Sequence, residues 1–411
     1  MQSTGTIALD LSRLLLRAGR ETATGIDRVE LAYAEHLLPA GAPLCFAAMT
    51  TLGTIGLLPQ NKAEAFVIAT AASWRGEAGA HAANRRLKQL SRRLRFAPIA
   101  GGERALTARL KETAKAPVYL LVSHHHLERR RLIARLKQRA GARFVCLIHD
   151  LIPIEYPEYA KPGQNHQHLR RIETAAALAD ALIVNSAVTR DALLPHLDRA
   201  GRKPPVLVAP FGVELPSVPV DSAAPLGRPY FVYVSTIEAR KNHLLLLNLW
   251  RSLVEELGDD APALVLIGQR GWETENVVDM LERCPGLRGN VIEHAGLPDA
   301  AMVRLLRGAR ALLLPSFAEG FGFPLVEAFA LGVPALCSGI SALRETGGDV
   351  PEYFDPLDGL GWRQAVIDYA APDSPRRTAQ LGRLARWRPS TWDAHFADVG
   401  ALIAQTAAWA G

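Results

Sequence analysis

"RALLLPSFAEGFGFPLVEAFALGVP" (residues 310–334) passes from an apolar run, through a loop with two glycines, into a second apolar stretch of different spacing. "RALLLPS" reads as a short buried strand and "FAEGFGF" as the loop at its carboxyl end. "PLVEAFALG" reads as a helix, with Pro324 in its first turn and Gly332 just past its end. Backbone N–H groups of Gly320, Phe321, Gly322 and Phe323 then point out of a helix N-terminus, which suits phosphate or another anion, and the glycines allow close approach. Glu319 stands in the loop and Glu327 in the first helical turn, where two carboxylates can hold hydroxyls while the helix end holds negative charge. Such a combination would suit a nucleotide sugar. The same two acids also read as ordinary partners of a helix dipole.

Working outward, the chain repeats the same alternation. "VYLLVS" (118–123), "RFVCLIHD" (143–150), "ALIVNS" (181–186), "PVLVAPFG" (205–212), "YFVYVST" (230–236), "ALVLIG" (263–268) and "VIEHAG" (291–296) are short apolar runs ending in a polar residue or glycine, separated by helical stretches. Continuous apolar strands between helices predict buried parallel sheets. At 411 residues the chain exceeds what one core supports. Residues 211–229, with four prolines and little periodicity, read as a linker. The expectation is α/β: two doubly wound Rossmann-like domains, 1–212 and 213–385, with ligands bound outside the carboxyl ends of the strands, in a central cleft.

Charge divides unequally. Residues 1–210 carry 30 Lys+Arg against 17 Asp+Glu, net +13, and the remainder 17 against 24, net −7. The excess peaks in "NRRLKQLSRRLRF" (84–96), where Leu87, Leu90 and Leu94 share one helical face among six cationic side chains. Such a helix fits an anionic membrane surface, and equally a solvated helix with a narrow core stripe. No helix-turn-helix, zinc-finger or aromatic RNA-binding signature accompanies it, so no nucleic acid is expected as a partner. Cys45, Cys146, Cys284 and Cys337 stand far apart without metal-ligand spacing and are expected to be buried free thiols in a reducing compartment. The N-terminus meets Asp10 before a long apolar core forms, so no signal peptide is expected, and no run predicts a transmembrane helix.

The E-x7-E spacing of the opening stretch resembles the donor-site motif of glycosyltransferase family 4, retaining enzymes of the GT-B fold. The likeness continues through "STIEARKNHLLLLNLW" (235–250), "LIGQRGW" (266–272), "EHAGLPDAAMVRLL" (293–306) and "SALRETGGDVPEYFDPLDG" (341–359). In the first half it rests on "TGIDRV" (24–29), "HDLIPIEYPEY" (149–159) and "LIVNSAVTRDALL" (182–194), while residues 40–115 match nothing recognisable.

The resemblance implies that Glu319 lies at the transferred sugar, by its hydroxyls and anomeric carbon, and that Glu327 binds the ribose hydroxyls. Arg240 and Lys241, after the first strand of the donor domain, neutralise the pyrophosphate, with Gly268 in the same donor site. Many members carry an arginine at the end of that strand, where this chain reads "VSTIEARK" with Thr236, so Arg240 is expected to take over that duty. Gly25 and Arg28 become the glycine loop that meets the donor phosphates; a plain helix N-terminus is the other reading. Family members keep a histidine near the sugar, here His149 and then His125 of "HHH" (124–126), the rest of the triplet being surface residues. Asp150 reads as a cap of the loop after its strand, ahead of the other reading, a catalytic carboxylate. Residues 386–411, opening on a Ser390/Thr391 cap signal, form a helix that packs back on the first domain.

These readings lead to one expectation. A hexosyltransferase, resembling bacterial polysaccharide mannosyltransferases, transfers a sugar from a nucleoside diphosphate donor, GDP-mannose before a UDP-sugar, with retention. The acceptor is a glycan or lipid-linked glycan in surface polysaccharide synthesis, at the cytoplasmic face of the membrane. With no DxD-type motif, fixed cations and a helix end replace a divalent ion, so no metal and no cofactor are expected. A nucleotide-sugar epimerase of the same fold and a non-catalytic nucleotide-sugar-binding protein are the alternatives.

Overall fold

A computed structural model describes residues 5–20, 22–39, 43–75, 80–113, 115–216, 218 and 226–408. Of the linker stretch, residues 217 and 219–225 lie outside the described residues, as do residues 1–4 of the N-terminal segment. The chain forms two units. One comprises Met1–Glu155, Pro162–Gly212 and Ser390–Gly411, the other Tyr156–Lys161 and Val213–Pro389.

The first unit is built on seven strands: β1 (Ile7–Asp10), β2 (Leu44–Met49), β3 (Ile55–Leu57), β4 (Val118–Leu121), β5 (Arg143–Ile148), β6 (Ala181–Val184) and β7 (Val206–Val208). Their order is β3-β2-β1-β4-β5-β6-β7. The central strands β1, β4, β5 and β6 are almost wholly buried, as their unbroken apolar sequences require when helices cover both faces. One strand departs from the parallel expectation. β3 runs antiparallel to β2, with Ala47 opposite Leu57, because the tight turn around Gly53 (φ +80°) makes a hairpin where a crossover helix would need a dozen residues. The helix Trp392–Ala408 belongs to this unit and packs on β5, β6 and β7. Thr391 Oγ1 caps it, accepting from the Ala394 amide at 3.1 Å. His395 Nε2 meets the Tyr33 hydroxyl at 2.8 Å, and Trp392 lies against Phe211.

The second unit carries six parallel strands: β8 (Tyr230–Val234), β9 (Ala263–Ile267), β10 (Val291–His294), β11 (Leu312–Leu314), β12 (Ala335–Ser338) and β13 (Glu352–Phe354). Their order is β10-β9-β8-β11-β12-β13, the doubly wound arrangement in which strands are added to one side of β8 and then, from β11 on, to the other. Ligand crevices of open α/β sheets form at that switch point. Trp250 and Trp362 are fully buried in its core. All four thiols are free, but Cys284 is only half-buried because it follows the exposed end of the helix Glu275–Arg283 and not a strand.

Candidate active site

In the second unit, the polypeptide leaves β8 at Val234 and makes a 3-10 turn at Ala239–Lys241. It then takes a left-handed step at Asn242 (φ 56°) before the helix His243–Leu257 begins. Asn is among the few residue types that enter the left-handed region readily, and its side-chain amide anchors the step by donating to the sequence-distant carbonyls of Pro315 (3.2 Å) and Pro356 (2.8 Å). The Tyr233 hydroxyl donates to the Lys241 carbonyl at 2.7 Å, and the Phe317 amide donates to the Arg240 carbonyl at 2.8 Å. The turn after β8 is therefore fixed to the loop after β11, which brings together residues almost eighty positions apart.

Those bonds deliver two cations to one carboxylate. Lys241 Nζ donates to Glu319 Oε1 at 2.5 Å, Arg240 Nη1 donates to Oε2 at 3.3 Å, and the Ser316 hydroxyl adds a bond to Oε1 at 2.7 Å. Arg240 also reaches the Ala318 carbonyl at 2.9 Å and Glu238 Oε2 at 3.1 Å. The Glu319 side chain is 8% exposed. Burial alone would raise its carboxyl above the ordinary value, but Lys241 and Arg240 outweigh burial and hold it at about 2. Burial and the adjacent Arg240 push the Lys241 ammonium down, against the pull of Glu319. Burial likewise raises Glu238, opposed by Arg240 and Lys241.

Immediately after Glu319, Gly322 takes φ +91° and starts the helix Phe323–Ala330, with Pro324 in its first turn. That positive φ disfavours any residue with a Cβ, which would also lie 2.7 Å from Leu343 Cδ2 and push that side chain aside. Gly320, Phe321, Gly322 and Phe323 thus sit at a helix start beside the Arg240–Lys241–Glu319 group. Glu327 is buried and lies one residue further into the helix than expected. The helix begins at Phe323, one residue before Pro324, so Glu327 is its fifth residue and the first turn holds no acid. Gly268 ends β9 beside Ser235, so close that a Cβ would stand 1.9 Å from the Ser235 carbonyl oxygen.

In the first unit, the carboxyl ends of β4 and β5 carry a histidine cluster. The His149 amide donates to His124 Nε2 at 3.1 Å; an amide can only donate, so that nitrogen is bare and the His124 proton sits on Nδ1. His149 Nε2 faces the Val122 carbonyl at 2.8 Å; a carbonyl can only accept, so Nε2 carries the proton and Nδ1 offers a lone pair. Burial lowers His149 to about 4, and lowers His124 well below the ordinary range. His168, also buried, faces the Asp150 carbonyl through Nε2 at 3.0 Å, and Asp150 Oδ1 accepts from the Ile152 amide at 3.1 Å, closing the turn after β5. His124 and His126 are buried, contrary to the expectation that they lie on the surface. A left-handed turn at His126 (φ 61°) folds the triplet back over the end of β4 and leaves His125 the most open of the three. Burial, then His126, lowers His125 to about 3.

Gly25 opens the helix Gly25–Leu37, and Arg28 is half-buried one turn in. The start of this helix is ordered by Asp27, fully buried, whose carboxylate accepts from the Thr24 amide at 2.9 Å and pairs with Arg13 at 2.6 Å and Arg17 at 3.0 Å. Two further buried acids lie beside it. Asp10 accepts from the Tyr119 hydroxyl at 2.8 Å, and Glu30 Oε1 accepts from the Leu14 amide at 2.9 Å. Burial, then the nearby Asp10 charge, raises Glu30 to about 8.

Sequence reasoning did not single out Glu238, Ser316, His124, His168, Asp27, Asp10 or Glu30. Glu238 stands inside the quoted "STIEARK" and Ser316 three residues before Glu319, so both were visible as neighbours of the motif. Asp27 stands inside "TGIDRV" and His124 beside His125, equally close to named residues, while His168, Asp10 and Glu30 become neighbours of the site only through the fold. Among the described residues, no group of three or more His, Cys, Asp or Glu is arranged to hold a metal ion.

Two parallel-sheet α/β units, each with polar groups gathered at the carboxyl ends of its strands, define the GT-B fold class. Residues 218–349 match the family described as Glycosyl transferases group 1, so the chain carries a group 1 glycosyl transferase domain. Residues 122–197 match the Glucosyltransferase 3-like, N-terminal domain, and they include His124, His149 and His168. The chain is 36% identical over 165 residues to the O-antigen chain mannosyltransferase B of Escherichia coli, covering 40% of this chain and 42% of that protein. It is 28% identical over 252 residues to the serotype-specific mannosyltransferase WbdA of E. coli, covering 57% and 30%. The matches therefore span less than half the length of these relatives. Among solved structures, sucrose-phosphate synthase from Thermosynechococcus elongatus superposes with a TM-score of 0.63 at 16% identity over 98% of both chains, a likeness of fold.

Proposed function

We propose that this protein is a retaining, metal-independent glycosyltransferase that moves mannose from GDP-mannose to a glycan or lipid-linked glycan in surface polysaccharide synthesis at the inner face of the membrane. The observation that carries this reading is the group Arg240, Lys241 and Glu319 at the switch point of the second sheet, beside the helix start at Phe323 and inside the matched domain. The mannosyltransferase names of the relatives support the sugar.

As the glycosidic bond breaks, a nucleoside diphosphate gains negative charge at its terminal phosphate. Arg240 and Lys241, placed beforehand, favour that charge more than they favour the intact donor. An incoming diphosphate competes with Glu319 for both cations. Glu319, fully ionised at neutral pH, is then the negative charge nearest a carbon that is becoming positive. With the two cations shared between it and the diphosphate, and with the Ser316 hydroxyl on Oε1, Glu319 is a weakened nucleophile. That supports front-face substitution, with the departing phosphate taking the acceptor's proton, over a double displacement through a glycosyl–Glu319 bond. The neutral His149 accepts a hydrogen bond from a sugar hydroxyl at Nδ1, and His125 serves as a second hydrogen-bonding group. Glu327 takes the ribose hydroxyls, and Gly25 and Arg28 meet the donor phosphates.

A thermal-shift panel of GDP, UDP, dTDP, CDP and their sugars identifies the donor, with GDP-mannose expected to give the largest shift. Turnover is expected to release nucleoside diphosphate only with acceptor present, to yield the same anomeric configuration as the donor, and to persist in EDTA. Glu319→Gln is expected to lose about 100-fold or more in kcat while retaining donor binding. Acceptor-independent donor turnover, or a Glu319→Gln enzyme as fast as the parent, would reject the reading.

A further inference from the structure

The helix Ala80–Phe96 answers a question its sequence left open. Its core stripe is already used within the fold. Leu87, Ser91 and Leu94 are buried, Leu90 is half-buried, and the Ser91 hydroxyl donates to the Leu15 carbonyl at 2.5 Å. Asn84 Oδ1 accepts from the Ser73 hydroxyl at 2.8 Å, fixing the helix to its neighbour Gln60–Trp74. The helix is therefore not free to roll an apolar face into a bilayer.

What it presents outward is different. Arg85, Gln89, Arg92 and Phe96 fall at i, i+4, i+7 and i+11, a straight ridge on the side away from Leu87 and Leu94, flanked by Arg86 and Arg93 on one side and Lys88 and Arg95 on the other. All eight are exposed, and among the described residues none of the six cations pairs with a carboxylate. No acidic residue occurs from 78 to 102. At the end of the ridge, Phe96 is 68% exposed, and Ile99, just beyond it, is 44% exposed.

We propose that this ridge docks the folded first unit onto an anionic lipid surface, the six cations lying against headgroups and Phe96 and Ile99 entering the interfacial layer. Positive charge with no carboxylate partner among the described residues complements a negative leaflet. Two large apolar side chains at one end have no use against a phosphodiester backbone, but they gain by entering the acyl boundary. This deepens the membrane placement proposed above by naming its surface and its mode, adhesion of a rigid face in place of insertion of an amphipathic helix. Each Lys or Arg held at an anionic leaflet strengthens adsorption roughly fivefold.

Vesicle co-sedimentation of the full chain tests it. Binding is expected to vesicles of phosphatidylcholine with about 30% phosphatidylglycerol, an anionic surface, and not to phosphatidylcholine alone, and to fall steeply with added salt. The triple change Arg85→Glu, Arg92→Glu, Arg93→Glu is expected to weaken partitioning at least about 100-fold. Phe96→Ser weakens it less and leaves the salt dependence in place. Unchanged thermal melting and unchanged transfer to a soluble acceptor establish that the variants fold. Equal binding to neutral vesicles, no binding, an unaffected triple variant, or displacement of vesicles by an oligonucleotide at the same salt would each overturn the proposal. Vesicle binding by a chain that transfers no sugar would leave the docking intact and count against the enzymatic reading alone.

Discussion

Consider replacing Lys241 by methionine, which keeps the length of the stem and removes the charge. Glu319 then keeps only the weaker 3.3 Å contact with Arg240 and the bond from Ser316, in a site where its side chain is 8% exposed. Bringing the carboxyl from its ordinary 4.5 to about 2 corresponds to roughly 3 kcal/mol of preference for the ionised form. Much of that preference is owed to Lys241, so Lys241→Met is expected to destabilise the protein by about 3 kcal/mol at pH 7. Glu319→Gln, which leaves a buried ammonium beside a guanidinium, is expected to cost a similar amount. The double variant leaves neither charge stranded and should fall about 2–3 kcal/mol short of the sum. Acid dependence gives a second reading. A carboxyl with a lowered folded value stabilises fully above pH 4.5, and that contribution disappears as pH falls from 4.5 toward 2. Lys241→Met raises the folded value, so the acid limb should move to higher pH. Urea unfolding followed by fluorescence of the buried Trp250 and Trp362 measures both quantities. Single effects that add to within about 0.5 kcal/mol, together with an unmoved acid limb, would refute the reasoning.

Two further outcomes follow from the same kind of accounting. Glu30→Gln should stabilise the first unit by about 1–3 kcal/mol at pH 8 and hardly at all at pH 4.5. The folded carboxyl holds its proton up to about 8 while the unfolded one loses it near 4.5, so the parent loses stability as pH rises through that window and the amide does not. Denaturant midpoints at the two pH values check this. Gly268→Ala forces the ends of β8 and β9 apart, because its Cβ would meet the Ser235 carbonyl at 1.9 Å, and is expected to cost roughly 2–3 kcal/mol and to weaken donor binding in calorimetry.

The parts of the fold legible in sequence were those with strong punctuation. β4 to β11 are apolar runs closed by glycine or a polar residue, and each lies where its run predicts. β1 was missed because Ile7–Asp10 runs into the helix Ser12–Arg17 with only Leu11 between, so strand and helix merge into one apolar stretch. β2, "LCFAAM", is poor in β-branched residues, and β12, "ALCS", follows Val333–Pro334 with no signal of its own. At the site, glycine and proline marked the helix start at Phe323. The ion pairs of Glu319 with residues 78 and 79 positions away could not be read, because no periodicity links them. The burial of His124 and His126 was equally hidden, since it depends on one left-handed residue at the end of β4.

The helix Trp392–Ala408 completes a unit whose other parts precede residue 213, and the contact between Tyr33 and His395 spans 362 positions. During synthesis the first sheet leaves the ribosome early, yet one side of β5 to β7, with Phe211, stays uncovered while the whole second unit is made. The entropy of closing so long a loop grows only with the logarithm of its length, so the delay sets the order of events more than it sets the final stability. The half that emerges first is finished last, and until then its bare sheet face is the part of the nascent chain most in need of shelter.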